Sequence, residues 1–187
     1  VSEAGQWEHA VQSYLASVTF ADHCLGLVLD ALEKSDYAGN TVIALFSDHG
    51  FHLGEKERWA KRSLWEDGTR VPIILTAPGF KSNQTSDRPA ELIDIFPTLL
   101  ELVGLSADSG QEGQSLVPLM KNPRREWSHP AITSFGLGNY SVRSTRYRFI
   151  QYFDGSRELY DLSKDPHEWK NLIKIPKMKS VIMEHTA

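Results

Sequence analysis

The chain has 187 residues, of which 41% are hydrophobic and 24% are charged, a composition typical of a globular domain or of a domain with a small subdomain. Its formal net charge of −4 at pH 7 argues against a nucleic-acid-binding surface, which is usually strongly basic. The one cysteine excludes an internal disulfide, and because no continuous apolar run has the length of a bilayer-crossing helix, we expect no membrane-spanning segment.

The first predicted element is a long amphipathic helix that runs from about residue 6 to residue 34. Apolar side chains recur there at steps of three and four residues and define one stripe, made of Tyr14, Val18, Ala21, Leu25, Val28 and Leu32. Cys24 lies within this apolar pattern, so we expect a buried structural thiol. Turn-forming residues at 36–40 are predicted to end the helix.

Two short apolar runs, residues 42–46 and 71–76, follow the helix and are predicted to be strands. Because neither run alternates with polar residues, both fit the doubly covered strands of a parallel sheet. The loop between them, residues 48–68, is about twenty residues long, and loops of that length in a compact domain are usually functional. This order of elements predicts an α/β sheet covered by helices.

The next predicted element is a helix over residues 95–103, which Asp94 would cap and Gly104 would end. A short helical turn is predicted over residues 116–120. Residues 122–125 contain proline and arginine and are predicted to form a boundary, so that residues 1–125 belong to the α/β portion.

Residues 126–187 are predicted to form a small antiparallel α+β subdomain. Its short strands are predicted at residues 131–135, 140–143, 147–152 and 158–162. Asp154-Gly155 marks a hairpin turn between the last two strands, and Asp165-Pro166 is predicted to begin the final helical segment.

The most informative segment is Ser47-Asp48-His49-Gly50, which directly follows the first apolar run. Ligands bind beyond the carboxyl ends of strands in open α/β sheets, so Asp48 and His49 are well placed to hold a metal ion. A polar turn without chemistry is the alternative interpretation of this short segment. By ligand chemistry alone the pair suits zinc or manganese as well as calcium, since calcium prefers six to eight oxygen ligands.

Further motifs follow this segment in order and extend almost to the end of the chain. They are Leu53-Gly54-Glu55, Trp59-Ala60-Lys61, Thr69-Arg70-Val71-Pro72, Glu158-Leu159-Tyr160-Asp161-Leu162 and Asp165-Pro166-His167-Glu168. With the Ser-Asp-His-Gly segment they resemble the sulfatase family of the alkaline-phosphatase-like superfamily, and they look most like iduronate-2-sulfatase and choline-sulfatase-type enzymes. The resemblance implies metal-dependent hydrolysis of a sulfate ester on a sulfated carbohydrate or small molecule.

The resemblance also assigns residues to roles. It places Asp48 and His49 in a calcium site and makes Lys61 a catalytic residue that contacts the sulfate and the leaving-group oxygen, since an ammonium group suits a compact anion. His52 could contact the substrate as well. Lys56 stands where related enzymes often carry a histidine, which leaves its role open.

Other parts of the family pattern have no counterpart in this sequence. Such enzymes use a cysteine, in a C-x-P-S-R or similar context, that is oxidised to formylglycine, and Cys24 lacks that context. The paired aspartates that the family places near its N-terminus are also missing. The chain therefore looks like the C-terminal part of a sulfatase whose nucleophile lies in an N-terminal segment outside this sequence, and we expect the isolated chain to be inactive.

Two alternatives stay open at this point. One is a phosphoric or phosphonic ester hydrolase of the same superfamily, in which Asp48 and His49 would hold zinc or manganese. The other is a catalytically inactive fragment that binds a ligand or a partner. By family resemblance the enzyme would be periplasmic, secreted or lysosomal, although residues 1–10 have no signal-peptide character.

Overall fold

A computed structural model describes residues 5–106 and 110–186 of the chain. Two compact units are present, Val1–Thr41 and Val42–Ala187. The division falls at another place than the boundary predicted between residues 125 and 126 and does not test it. That boundary therefore stays a prediction.

The first unit is one long helix, α1 (Trp7–Glu33), followed by a 3₁₀ turn at Ala38–Asn40. The helix agrees with the prediction to within one residue at each end. None of its residues is buried, and Cys24 is exposed, so the expectation of a buried thiol is wrong. An apolar stripe shows that a helix face needs a partner, but it does not show which segment supplies that partner.

Helix α1 also bears on the expectation that the chain has no membrane-spanning segment. It has 27 residues and a mean hydropathy of 1.4 over its most apolar window, which is enough to cross a membrane by length and composition alone. Polar residues scattered along the helix interrupt every continuous apolar run, so a search for such runs does not detect its high mean hydropathy. The core helix of a soluble protein or a signal sequence passes the same test, so the finding is weak evidence for a membrane.

The second unit begins with strand β1 (Ile43–Phe46). A long loop follows, which contains a small hairpin, β2 (His52–Leu53) with β3 (Trp59–Ala60), and one helical turn, α2 (Glu66–Thr69). The chain then returns as β4 (Ile73–Thr76). Both predicted apolar runs are therefore strands.

The pairing of β1 with β4 differs from the prediction. The two strands are antiparallel, with Ile43 opposite Thr76 and Phe46 opposite Ile73. Half-buried and exposed residues alternate along β4, so this strand is not covered on both faces by the described chain. An apolar run favours burial on both faces, but it carries no information about the direction of the neighbouring strand.

Helices α3 (Ile95–Leu102) and α4 (Val117–Lys121) lie near their predicted positions, and Gly104 follows α3 with a φ of 74°, as expected of a helix-terminating glycine. Asp94 does not cap α3 with its side chain. Its buried carboxylate instead accepts hydrogen bonds from the backbone N–H groups of Glu91, at 2.8 Å, and Gln114, at 2.7 Å. Asp94 thus joins the turn before α3 to the segment that leads into α4.

The C-terminal sheet confirms the predicted strands. It contains β5 (Ala131–Ser134), β6 (Tyr140–Arg143), β7 (Tyr147–Gln151) and β8 (Arg157–Asp161), which are antiparallel neighbours in sequence order. Gly155 adopts a φ of 83° in the β7–β8 turn, where glycine is favoured. The core of this sheet includes Phe149, Ile150 and Leu159, which are fully buried.

The final helix begins later than predicted. Helix α5 spans Lys179–Glu184, after a 3₁₀ turn at Pro176–Met178. Asp165 instead forms a tight turn, because its carboxylate accepts hydrogen bonds from the backbone N–H groups of Trp169 and Lys170. The same hydrogen bonds that favour an aspartate at a helix start also stabilise such turns, so the sequence signal was ambiguous.

Candidate active site

The three residues predicted to hold the metal ion and the sulfate group lie together. Nζ of Lys61 is 3.0 Å from Nε2 of His49, and Oδ2 of Asp48 is 3.6 Å from the same nitrogen. The side chain of Asp48 is 82% exposed and that of His49 is 33% exposed. A carboxylate, an imidazole and an ammonium group therefore meet at a position that solvent can reach.

The hydrogen bonds of His49 indicate its tautomer. Nδ1 lies 2.8 Å from the carbonyl oxygen of Gly50, which can only accept a hydrogen bond, so Nδ1 carries the proton. In the neutral ring Nε2 then has a free lone pair, to which Lys61 donates. The same lone pair is the one that a metal ion would bind, beside the carboxylate of Asp48.

A close backbone contact fixes the turn that carries Asp48 and His49. The N–H of Gly50 donates to the carbonyl oxygen of Gly68 at 3.1 Å. A Cβ atom at Gly50 would overlap the carbonyl oxygen of Asp67, so only glycine allows this approach. Helix α2 thereby holds the turn after β1 in place.

Lys61 lies in a strained part of the loop. Lys56, Glu57, Ala60 and Arg62 all have positive φ angles, between 52° and 71°. Such conformations are unfavourable for residues other than glycine and persist only where surrounding contacts maintain them. They are common at functional sites, and here they surround the predicted catalytic lysine.

The substrate contact predicted for His52 stays a prediction. The His52 side chain is fully buried, Nε2 is hydrogen-bonded to Oγ of Ser63 at 2.6 Å, and its ring packs edge-on against Trp65. Burial lowers the pKa of His52, while the charges of Asp67 and Glu55 act in the opposite direction. In the described chain the His52 side chain therefore packs inside the loop. The sequence indicated that a histidine follows Asp48 and His49 closely, but not that its side chain points into the loop.

His52, Glu55 and Asp67 also form a group whose possible ligand atoms lie within 4.8 Å of one another. Among the described residues Nδ1 of His52 has no hydrogen-bond partner. However, Nε2 is occupied by Ser63, and Oε2 of Glu55 accepts from the backbone N–H of Leu53 at 2.6 Å. Two of the three groups already have hydrogen-bond partners, so Asp48 with His49 remains the more open metal-binding pair.

Sequence reasoning missed a buried ionic network behind the loop. Arg148 on β7 is 2% exposed; it pairs with Glu66 and lies 2.8 Å, Nε to Oε1, from Glu168, which is 1% exposed. Burial alone would raise the pKa of Glu66, but Arg148 and Arg143 lower it below its ordinary value. Burial raises the pKa of Glu168 to about 7, against the opposing charge of Arg148. The one available sequence signal for this network was the position of Arg148 directly before two apolar strand residues.

Lys56 forms a second connection that the sequence did not reveal. Its Nζ lies over the rings of Trp65, Tyr160 and Trp169, at 4.9, 5.0 and 5.4 Å from their centroids. The same Nζ donates a hydrogen bond to the carbonyl oxygen of Glu168. We call these three rings and this carbonyl group the Lys56 cage. The cage joins the loop to β8 and to the turn that follows it.

Comparison with known families covers almost the whole chain. Residues 2–105 match the sulfatase family model, and residues 54–187 match the model described as N-sulphoglucosamine sulphohydrolase, C-terminal. The first match includes α1 and both β1 and β4. The second includes the Lys61 loop and the C-terminal sheet.

Curated relatives carry sulfatase names. A sulfatase of Formosa agariphila is 46% identical over 96% of this chain, which corresponds to 35% of the relative. A delta 4,5-hexuronate-2-O-sulfatase of Bacteroides thetaiotaomicron is 30% identical over the whole chain, corresponding to 43% of that protein. The chain thus spans well under half the length of the curated relatives it matches.

Solved structures agree with this result. BT4656, solved in complex with its substrate D-glucosamine-2-N,6-O-disulfate, matches 92% of this chain and 38% of its own, with a TM-score of 0.83 and 29% identity. A phosphonate monoester hydrolase of Agrobacterium radiobacter matches 87% of this chain and 36% of its own, with a TM-score of 0.73 and 26% identity. The mixed helix and sheet architecture predicted from the sequence is confirmed, and this chain belongs to the sulfatase family.

Proposed function

We propose that this chain is the C-terminal part of a sulfatase and that Asp48, His49 and Lys61 are its contribution to the active site. The observation that carries the proposal is the 3.0 Å contact between Lys61 and His49, beside the exposed carboxylate of Asp48. Two metal-ligating groups and one cation are among the groups that cleavage of an anionic ester requires.

Asp48 and His49 fit part of a calcium site. Asp48 offers an exposed carboxylate, and His49 is in the tautomer that leaves Nε2 available. A bound calcium ion would supply charge neutralisation for the sulfate oxygens. Because calcium takes six to eight ligands, further ligands would come from a preceding N-terminal segment, as would the formylglycine nucleophile.

Lys61 acts on the ester itself in this proposal. A metal ion held by Asp48 and His49 would use the lone pair of His49 Nε2, which is the lone pair that Lys61 contacts in this structure. The ammonium group has three N–H donors, of which the contact with His49 uses one, so it can also donate to an anionic oxygen. It would stabilise the charge that develops on the leaving-group oxygen as the S–O bond breaks.

We propose a sulfated carbohydrate as the substrate class. BT4656 was solved with a disulfated glucosamine, and one curated relative is named for action on a hexuronate 2-O-sulfate. These properties belong to those proteins, and they support the class of substrate rather than one particular sugar.

The test compares lysine and arginine variants in the full-length protein. Lys61→Ala should lower kcat/KM for sulfate release from a sulfated glucosamine by about 10²-fold or more, as when one preorganised charge-stabilising group is lost. Arg62→Ala, which changes the neighbouring cation, should have a much smaller effect. If both variants lose activity equally, the loop is a general basic patch and Lys61 has no special role.

A phosphonic ester hydrolase is the second candidate. The similarity to the Agrobacterium radiobacter enzyme favours it, since the same fold there belongs to a protein named for phosphonate monoester hydrolysis. Under this alternative Asp48 and His49 would hold zinc or manganese. Comparison of matched sulfate and phosphonate esters separates the two functions.

A further inference from the structure

We propose that Lys56 is a positioning residue: it fastens the strained loop to the C-terminal sheet and thereby fixes where Lys61 lies. The proposal rests on the proposed function, in which Lys61 contacts the ester. Lys56 itself touches neither Asp48 nor His49 in the contacts described above, so its effect would pass through the loop.

The Lys56 cage holds its cation from several sides. Aromatic faces carry negative partial charge and attract a cation within about 6 Å of the ring centroid. The rings of Trp65, Tyr160 and Trp169 all satisfy this distance, and the carbonyl oxygen of Glu168 accepts a hydrogen bond from the same Nζ. Lys56 is half-buried, so these contacts are less weakened by solvent than those of an exposed lysine.

The rings of the cage are themselves held in place. Nε1 of Trp65 and the hydroxyl group of Tyr160 both donate to Oε2 of Glu158, at 2.8 and 2.9 Å. Trp169 lies in the turn that Asp165 stabilises, and its backbone N–H donates to the Asp165 carboxylate at 3.0 Å. Lys56 therefore contacts two rings whose polar groups are held by Glu158 and a third ring that stands on a stabilised turn.

The loop needs such an anchor because of its backbone. Lys56 and Glu57 begin the strained stretch and Ala60 and Arg62 flank Lys61, all with positive φ. Conformations of this kind relax when the contacts that hold them are removed. Displacement of a catalytic group by about 1 Å can lower a rate about 10²-fold, so loss of the cage would lower activity without removing any group that contacts the ester.

The experiment uses the full-length protein and two readouts. Lys56→Met keeps most of the side-chain length and removes the cation, whereas Lys56→Arg keeps the cation. We expect Lys56→Met to accelerate amide hydrogen exchange in residues 54–62 and to lower kcat about 10-fold. Lys56→Arg should restore much of both properties, and Arg62→Ala, the matched control in the same loop, should change neither.

Chemical rescue provides an independent variant. Lys56→Ala leaves the cage open, and n-propylammonium has the length of the missing side chain, so millimolar n-propylammonium should restore activity to Lys56→Ala and not to Lys56→Met, whose side chain still fills the cage. Unchanged exchange and activity in Lys56→Met would overturn the proposal. So would exchange that increases equally in the loop and throughout β5–β8, since that pattern means general destabilisation. If the wild-type protein releases no sulfate, the proposed function fails, and loop exchange alone decides whether Lys56 fastens the loop.

Discussion

Replacement of Arg148 by methionine tests the buried network that supports the loop. The guanidinium group donates to the carboxylate of Glu66, to Oγ of Ser141 at 2.9 Å and to the carbonyl oxygen of Leu64 at 3.2 Å. It also pairs with Glu168. Arg148→Met keeps an unbranched side chain of similar length but leaves two largely buried carboxylates without their shared cation.

The expected loss follows from burial. Removal of one partner from a buried ion pair typically costs about 3–5 kcal/mol, because the other charge stays buried and unpaired. Glu66 keeps its contact with Arg143 at 3.3 Å, so its share of the loss is reduced. We therefore expect Arg148→Met to lower the free energy of unfolding by about 3 kcal/mol at pH 8.

The pH dependence has a definite sign. Burial already raises the pKa of Glu168 to about 7 in the folded protein, above its ordinary value, so its ionisation destabilises the fold as pH rises from about 4.5 through 7. Arg148 opposes this rise, so Arg148→Met should move the folded-state pKa of Glu168 still higher. The loss of stability should accordingly be larger at pH 8 than at pH 5. At pH 8 the Glu168 carboxylate either stays charged without its partner or must be protonated above its pKa, whereas at pH 5 it is already mostly protonated.

Urea denaturation of the full-length protein at pH 5 and pH 8, at equal ionic strength, measures both effects. The double variant Arg148→Met/Glu168→Gln removes one of the unpaired charges and should recover part of the loss at pH 8. A loss below about 1 kcal/mol that is the same at both pH values would refute the reasoning, because that is the size of an exposed ion pair.

Three further predictions concern the site and the fold. Asp48→Ala should raise the calcium concentration needed for half-maximal activity, measured by titration into chelator-treated full-length protein; an unchanged requirement would remove Asp48 from the metal site. Gly50→Ala should destabilise the protein by about 1–3 kcal/mol in urea denaturation, since its Cβ would overlap the Asp67 carbonyl oxygen, whereas Gly26→Ala in α1, with nothing within 4 Å, should not. The isolated 187-residue chain should hydrolyse no aryl sulfate, because it lacks the nucleophile context. It should also associate, because α1 buries none of its residues, so a monomer in size-exclusion chromatography that binds little hydrophobic dye would contradict this expectation.

Short-range sequence patterns correctly predicted the strands and turns that depend on neighbouring residues. The strands β5 to β8 and the turn at Gly155 were predicted because β-rich runs alternate with turn residues over short distances. The grouping of Asp48, His49 and Lys61 could be inferred because a family motif spans both parts of the loop, and the contact between His49 and Lys61 agrees with it.

Properties that depend on distant partners could not be predicted. The direction of β4 relative to β1 depends on the path of the intervening loop, and the apolar runs carry no record of that path. The burial of His52 depends on Ser63 and Trp65, and the environment of Arg148 depends on a glutamate more than eighty residues earlier in the chain. No periodicity in the sequence reports such contacts.

The central claim is that Asp48, His49 and Lys61 belong to an enzyme that cleaves sulfate esters. The most direct measurement is kcat/KM of the full-length protein for an aryl sulfate and for the aryl phosphonate monoester with the same leaving group, each also measured with Lys61→Ala. The account predicts that the sulfate is the better substrate and that its turnover depends on Lys61. A preference for the phosphonate, or sulfate hydrolysis that Lys61→Ala leaves unchanged, would contradict it.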